Sequence, residues 1–282
     1  MIIKRDFLRV VALALCVGAL PFIRSARISA SEKEWLDDYS KPVGFTYGAE
    51  AKLQAAYLWR GLYVGALNTQ IDANVGYGGL YFDMWWSLGT ADWTFRTFQP
   101  EVDLTLGFSR WGLNASVVFI HNFNCPFFDF GIHPGQGGNA LELALRYTVS
   151  SRLPLSILCA TRLSANDGYL NAAGDTVRAY STYIELSYTH RFQYDISLYG
   201  AVAITPWRSV YTGFQRDFAM QNIDIRLRKD WSIHERLGLM IQGQLSINPS
   251  ALAADKTSAE WHPAHPGNQA INTNLAIAIY LK

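Results

Sequence analysis

The sequence predicts an all-β protein, a closed antiparallel transmembrane β-barrel of about 12 strands. Three observations carry this. Apolar and polar residues alternate with period two from about residue 42 to the end of the chain, which is the signature of strands with two unlike faces. The connections between these segments are alternately short and long, which puts all tight turns at one end of the strands and all long loops at the other. Beyond the first thirty residues there is no run of about 18 apolar residues, so a membrane crossing would have to be made by strands.

The candidate strands run at about 43–60, 70–77, 79–89, 100–109, 112–123, 139–148, 154–163, 181–191, 195–205, 218–229, 237–248 and 270–281. Many reach about ten residues, the length of a tilted membrane crossing and longer than the usual soluble strand of about five or six. The short connections are "YGG", "SRWG", "VSSRLP", "RFQYD" and the slightly longer "KDWSIHER". The long ones include "RGLYVGALNT", "TADWTFRTFQP", "NCPFFDFGIHPGQGGN" and "PWRSVYTGFQRDF". Short periplasmic turns, long extracellular loops and an even strand count are the layout of an outer-membrane barrel.

One parity class is apolar, as in Leu80, Phe82, Met84, Trp86 and Leu88, or Leu275, Ile277, Ile279 and Leu281. The other carries the charges, and these are the candidate lumen-lining residues: Glu50, Lys52, Arg60, Asp72, Asp83, Glu101, Asp103, Glu142, Arg146, Glu185, Asp224, Arg226 and Arg228. Aromatic residues on the apolar parity are the candidate interface girdle: Tyr47, Tyr57, Trp59, Trp86, Phe108, Tyr147 and Tyr188. Tyr47 to Trp59 is 12 steps, which spans roughly 30 Å at a tilt of about 40°, enough for a lipid-facing band of about 25 Å. A soluble exported β-sandwich has the same alternation turned inside out and is the competing architecture.

Composition narrows the classes of function. Charged residues make up 17% of the 282, aromatics 14%, and the formal net charge is +1, which argues against a nucleic-acid partner and against disorder. Residues 1–30 have the form of a cleaved signal peptide, with Lys4 and Arg5 ahead of an apolar run from Val10 to Ile23 and Ala30 before the cut. Residues 31–282 then form a single barrel domain. Cys125 and Cys159 are expected as free thiols, without a disulfide framework.

The segment Tyr57-Leu58-Trp59-Arg60-Gly61, with the later "YSTYIELSY", "AVAITPW" and closing "INTNLAIAIYLK", resembles a group of Gram-negative outer-membrane β-barrel proteins. The resemblance implies a porin-like or structural barrel and brings no catalytic residues with it. Such barrels often end on an aromatic residue used in assembly, whereas this chain ends Tyr280-Leu281-Lys282.

No residue pattern points to catalysis, a cofactor or a metal. A resemblance to lipid-modifying, phospholipase-type barrels would need a His-x-Ser element on a strand, and none occurs. His121, at the outer end of its strand with Asn122 and Asn124 nearby, is the candidate base for that alternative. His190 is expected at the periplasmic turn. His262, His265 and Glu260 share one loop at a spacing that matches no zinc pattern, and "HPGQGG" lacks the strand-to-helix context of a phosphate cradle. The expected surroundings are outer-membrane lipid, lipopolysaccharide and the barrel-assembly machinery. The mixed signs of the polar face suit a narrow lumen for a small polar solute better than a strongly ion-selective pore.

Overall fold

A strand that is apolar on one face and polar on the other needs two environments, and a ring of such strands supplies both. The computed structural model describes residues 44–94, 96–123, 125–131, 139–164, 167–252 and 269–281. In chain order its strands are β1 (Phe45–Gln54), β2 (Tyr57–Trp59), β3 (Leu62–Gly65), β4 (Asn68–Tyr77), β5 (Leu80–Thr90), β6 (Phe98–Arg110), β7 (Leu113–His121) and β8 (Ala140–Thr148). They continue as β9 (Leu155–Arg162), β10 (Gly168–Leu170), β11 (Thr176–Arg178), β12 (Thr182–Arg191), β13 (Ile196–Thr205), β14 (Ala219–His234), β15 (Leu237–Ile247) and β16 (Ile271–Leu281).

Twelve of these pair side by side, each antiparallel to its neighbours, in the closed order β1-β16-β15-β14-β13-β12-β9-β8-β7-β6-β5-β4. The seam is β1 against β16, in register from Glu50↔Tyr280 to Gln54↔Ala276. Closure leaves the ring no unpaired edge. The remaining four strands make two small hairpins, β2–β3 and β10–β11, within the long connections.

The pleat sorts the side chains. Along β16, Ile271, Leu275, Ile277, Ile279 and Leu281 face outward, while Asn272, Asn274, Ala276, Ala278 and Tyr280 are buried inside. Leu80, Phe82, Met84, Trp86 and Leu88 are likewise exposed on the outer face of β5. Glu142, Glu185, Asp224 and Arg228 are buried within the ring. An apolar outer surface this continuous is stable in lipid and would aggregate in water, so this is a transmembrane barrel of the outer-membrane type. A two-layer sandwich is excluded, because the ring is closed and its polar face is the inner one.

The tight turns cluster at the end where the ring's first and last strands begin and finish. Two have both central residues at positive φ, Gly78 (64°) with Gly79 (96°) and Trp111 (56°) with Gly112 (78°), the hairpin turn whose twist matches that of the strands. The Arg110 guanidinium lies 4.5 Å from the Trp111 ring. Two boundaries differ from the sequence expectation. β14 runs on to His234, so "KDWSIHER" is mostly strand and only Glu235 and Arg236 turn. β1 ends at Gln54, and the expected continuation to residue 60 leaves the wall.

Near the short-turn end, two tyrosines fill the space opposite cross-strand glycines. Tyr81 faces Gly107 and Tyr280 faces Gly238. A Cβ added at Gly107 would lie 2.4 Å from the Tyr81 ring, and one at Gly238 would lie 2.3 Å from that of Tyr280. Gly238→Val is expected to destabilise the folded barrel by about 1–3 kcal/mol through overpacking. Gly200→Ala, where nothing lies within 4 Å, should change stability far less. Urea unfolding of the detergent-folded protein, followed by loss of the compact form on gels, measures both.

Candidate functional site: the lumen and its inward hairpin

The first long connection does not stand above the barrel; it folds into it. After Gln54 the chain is held at the rim by Ala55 N donating to Leu275 O (2.9 Å) and Ala56 N donating to Asn274 Oδ1 (3.0 Å). It returns through Gly65 and Ala66, where Ala66 N donates to Thr90 O at 2.7 Å. Ala56 and Ala66 are 5% and 0% exposed, and a Cβ on Gly65 would lie 2.7 Å from Thr90 O. Small residues at both crossings let the hairpin pass close under the wall.

Between them β2 and β3 form a ribbon whose turn is Arg60-Gly61, at φ 51° and 81°. The tip reaches the inner face of β14 where the register slips beside Gln221. A Cβ on Gly61 would lie 2.3 Å from Gln221 O, so both the positive φ and the close approach require glycine. Gln221 Nε2 donates to Arg60 O at 3.4 Å, and Asn248 Nδ2 donates to Gly61 O at 3.3 Å.

Arg60 fixes the hairpin. Its Nη1 and Nη2 donate to the two oxygens of Glu142 on β8, each at 2.6 Å, the parallel fork geometry that makes arginine–carboxylate pairs strong. Nη1 also donates to the Tyr211 hydroxyl. The guanidinium lies 4.7 Å from the Trp59 ring, 5.0 Å from Tyr183 and 5.7 Å from Tyr211. Tyr211, from the connection between β13 and β14, is fully buried and packs with Tyr183 and Ala203 against Trp59, Leu62, Leu158 and Val210. On the other side, Tyr57 Oη donates to Glu101 Oε1 at 2.9 Å, and its ring lies 5.6 Å from that of Trp85. The hairpin is thus tied to β5, β6, β8, β12 and β14 at once.

Leu58 and Trp59 partition the lumen into two cavities. One, about 340 Å³, is lined by Arg60, Arg146, Arg191 and Arg226 with Glu185, Tyr183 and Tyr199. The other, about 360 Å³, is lined by Asp72, Asp83 and Asp103, by Lys52 and Arg226, and by Tyr57, Trp85 and several glutamines. On the basic side Glu185 accepts from Tyr183 (2.8 Å) and Tyr199 (2.7 Å) and lies 3.9 Å from Arg146. Arg226 Nε and Nη2 donate to Asp224 Oδ2 at 2.9 and 2.6 Å, and Gln244 holds the same carboxylate. Lys52 lies 3.8 Å from Glu50. Arg228 pairs with Asp230 nearer the turns, through Nε and Nη2 at 2.8 Å each.

The girdle expectation needs one correction. Tyr47, Trp86, Tyr147 and Tyr188 are exposed on the outer face, with Phe108 half-buried beside Trp111. Tyr57 and Trp59, expected beside them at the lipid interface, are inside the barrel. Period-two alternation carries through Ala55 and Ala56 unbroken, so parity gives no sign that the chain has left the wall there. Tyr183 sits on the inward parity of β12 beside Glu185, so its place was available from the pattern. Tyr211 lies in a long connection, and only the fold brings it to Arg60.

His121 is buried on the outer side of β7. Its Nδ1 lies 2.6 Å from Asn139 Oδ1, and the ring is surrounded by Phe119, Phe123 and Phe127. Cys125 Sγ donates to the same oxygen at 3.3 Å. Burial and then the Asp129 charge push the Cys125 thiol up, which keeps it protonated and a poor nucleophile. His190 is exposed between Tyr188 and Phe192. The signal segment, Asn124, "HPGQGG", Glu260, His262 and His265 lie outside the described residues. Among the described residues no group of three or more His, Cys, Asp or Glu side chains is placed to hold a metal ion.

No protein-family model matches the chain, and no curated protein matches it in sequence. Among solved structures it is similar to the NanC porin, at 9% identity over 84% of this chain and 100% of that one, with a TM-score of 0.48. It is also similar to the COG4313 outer membrane channel from Pseudomonas putida F1, at 12% identity over 87% and 97% of the two chains and a TM-score of 0.45. The KdgM porin gives 6% identity over 83% and 98%, with a TM-score of 0.41. The barrel assignment itself rests on the strand pairing of this chain.

Removing one partner of a buried ion pair leaves the other charge uncompensated, at a cost of about 3–5 kcal/mol. Glu142→Gln is therefore expected to release the hairpin, making the Arg60–Gly61 bond accessible to trypsin in the folded barrel while the wild type resists. Mass spectrometry of the fragments reads the cut.

Proposed function

We propose that the protein is a porin-like outer-membrane channel that admits small polar solutes passively, without catalysis, through a lumen narrowed by the hairpin. The observation that carries this reading is the partition itself, a docked ribbon with a polar, charge-lined cavity on each side. Eight-stranded barrels are just filled by their own side chains, and barrels of 16 strands leave an open aqueous channel. Twelve strands fall between, and here the first connection takes up the excess width. The lining of both signs disfavours a strongly ion-selective conduit, since each mobile ion meets fixed charges of its own sign. Lipid and lipopolysaccharide at the outer face, delivery by the barrel-assembly machinery and removal of residues 1–30 belong to the same proposal.

Planar-bilayer recording tests it. Purified wild-type protein is expected to give small, discrete conductance steps, and Arg60→Ala steps at least about twofold larger as the ribbon loosens. Folded barrels of both proteins that never conduct would overturn the channel reading and leave a structural role.

A further inference from the structure

The cavity on the acidic side has a composition that a water-filled passage does not require. Trp85 is the cross-strand partner of Asp72 on one side and of Asp103 on the other, so a carboxylate, an indole and a second carboxylate form one row across β4, β5 and β6. Asp83 stands in the adjoining row, within hydrogen-bond reach of Asp72, so two acids face each other at the wall. Tyr57 closes the cavity from the hairpin side, with its ring tilted 48° to that of Trp85 and its hydroxyl anchored by Glu101. Asp103 Oδ1 is buried and accepts no hydrogen bond. Asp72 shares hydrogen bonds with Asp83 and Asn74 and lies near enough to Lys52 to feel its charge.

The bases nearby divide their charge between these acids and others. Lys52 is 3.8 Å from Glu50, Arg226 is held by Asp224, and Arg60 is bound to Glu142. Arg162, which lies near enough to act on the Asp103 charge, sits with its guanidinium 5.3 Å from the Trp59 ring. The cavity therefore sets an Asp103 oxygen that accepts no hydrogen bond, and the Asp72–Asp83 pair, beside two aromatic rings.

We propose that this cavity binds a small organic cation, a primary or quaternary ammonium, with its charge against Asp103 and Asp72 and its carbon substituents on Trp85 and Tyr57. Both halves of the recognition are present: aromatic faces attract cations, most strongly when desolvated, and carboxylates supply the countercharge. A bare divalent metal fits less well. It requires several oxygens converging at about 2.0–2.6 Å, whereas these acids are spread over two rows with an indole between them. A volume of about 360 Å³ accommodates a molecule the size of choline. The proposal rests on the channel reading only in requiring that water and solute reach the lumen.

Equilibrium dialysis of the detergent-folded barrel against labelled choline tests it without any need for conduction. Saturable binding, displaced by tetramethylammonium and not by acetate, is expected. Asp103→Asn and Trp85→Leu should each weaken it about tenfold, while Trp85→Phe, which keeps an aromatic face, should stay within about threefold. Arg208→Ala, on the outer connections, should leave binding unchanged. Heat-modifiable migration on gels establishes that each variant is folded. The absence of saturable binding to the folded wild type overturns the proposal. So does binding that magnesium displaces and Trp85→Leu does not alter, because that would be a simple acidic cluster. Choline binding by a barrel that does not conduct would overturn the channel and leave this site standing.

Discussion

The interior of this barrel is organised by one buried cation. Arg60 lies at the tip of a ribbon that crosses the lumen, and its charge is tolerable there because Glu142 takes both guanidinium arms at 2.6 Å. Without that carboxylate the ribbon would carry an uncompensated charge into a partly dry space, and its docking would be unfavourable. The rings of Trp59, Tyr183 and Tyr211 then surround the guanidinium, so one side chain satisfies an ion pair and organises an aromatic cluster. The division of the lumen, its width and the separation of its charges all follow from where that ribbon is held.

The charges themselves are distributed unevenly. Arg60, Arg146, Arg191 and Arg226 line one cavity with Glu185, while Asp72, Asp83 and Asp103 line the other with Lys52 and Arg226. The ribbon, with Leu58 and Trp59 facing both cavities, stands between the two groups. A charged molecule placed in this lumen would meet different surroundings on the two sides of the ribbon.

Much of the fold was legible in the sequence because it depends on a period that lipid enforces. Every outward position from Leu80 to Leu88 must be apolar for the strand to exist in a membrane, so parity alone marks the wall and its inner face. The alternation of "YGG" and "SRWG" with much longer connections fixes which end is which. The ribbon was not legible, for an equally physical reason. Ala55 and Ala56 continue the pattern of β1, and Tyr57 and Trp59 suit a lipid interface as well as an aromatic cluster. What decides between the two is the pairing of Arg60 with a residue 82 positions away and with another 151 positions away, which no local pattern contains. The same applies to Tyr211, whose partners Arg60, Trp59 and Tyr183 are brought to it by the ring and not by its neighbours in the chain.

The Arg60–Gly61 turn also constrains the order in which the protein can assemble. Its anchors lie on β8, β12 and β14, all made after the ribbon, and the wall is completed only when β16 returns to β1. The ribbon cannot dock until those later strands are in place. It departs from the rim beside that seam, where Ala56 N donates to Asn274 Oδ1. Until β8 is in place the ribbon would hold an arginine without its countercharge. Docking of the ribbon is thus coupled to the strands that come after it in the chain, and its stability is contingent on theirs.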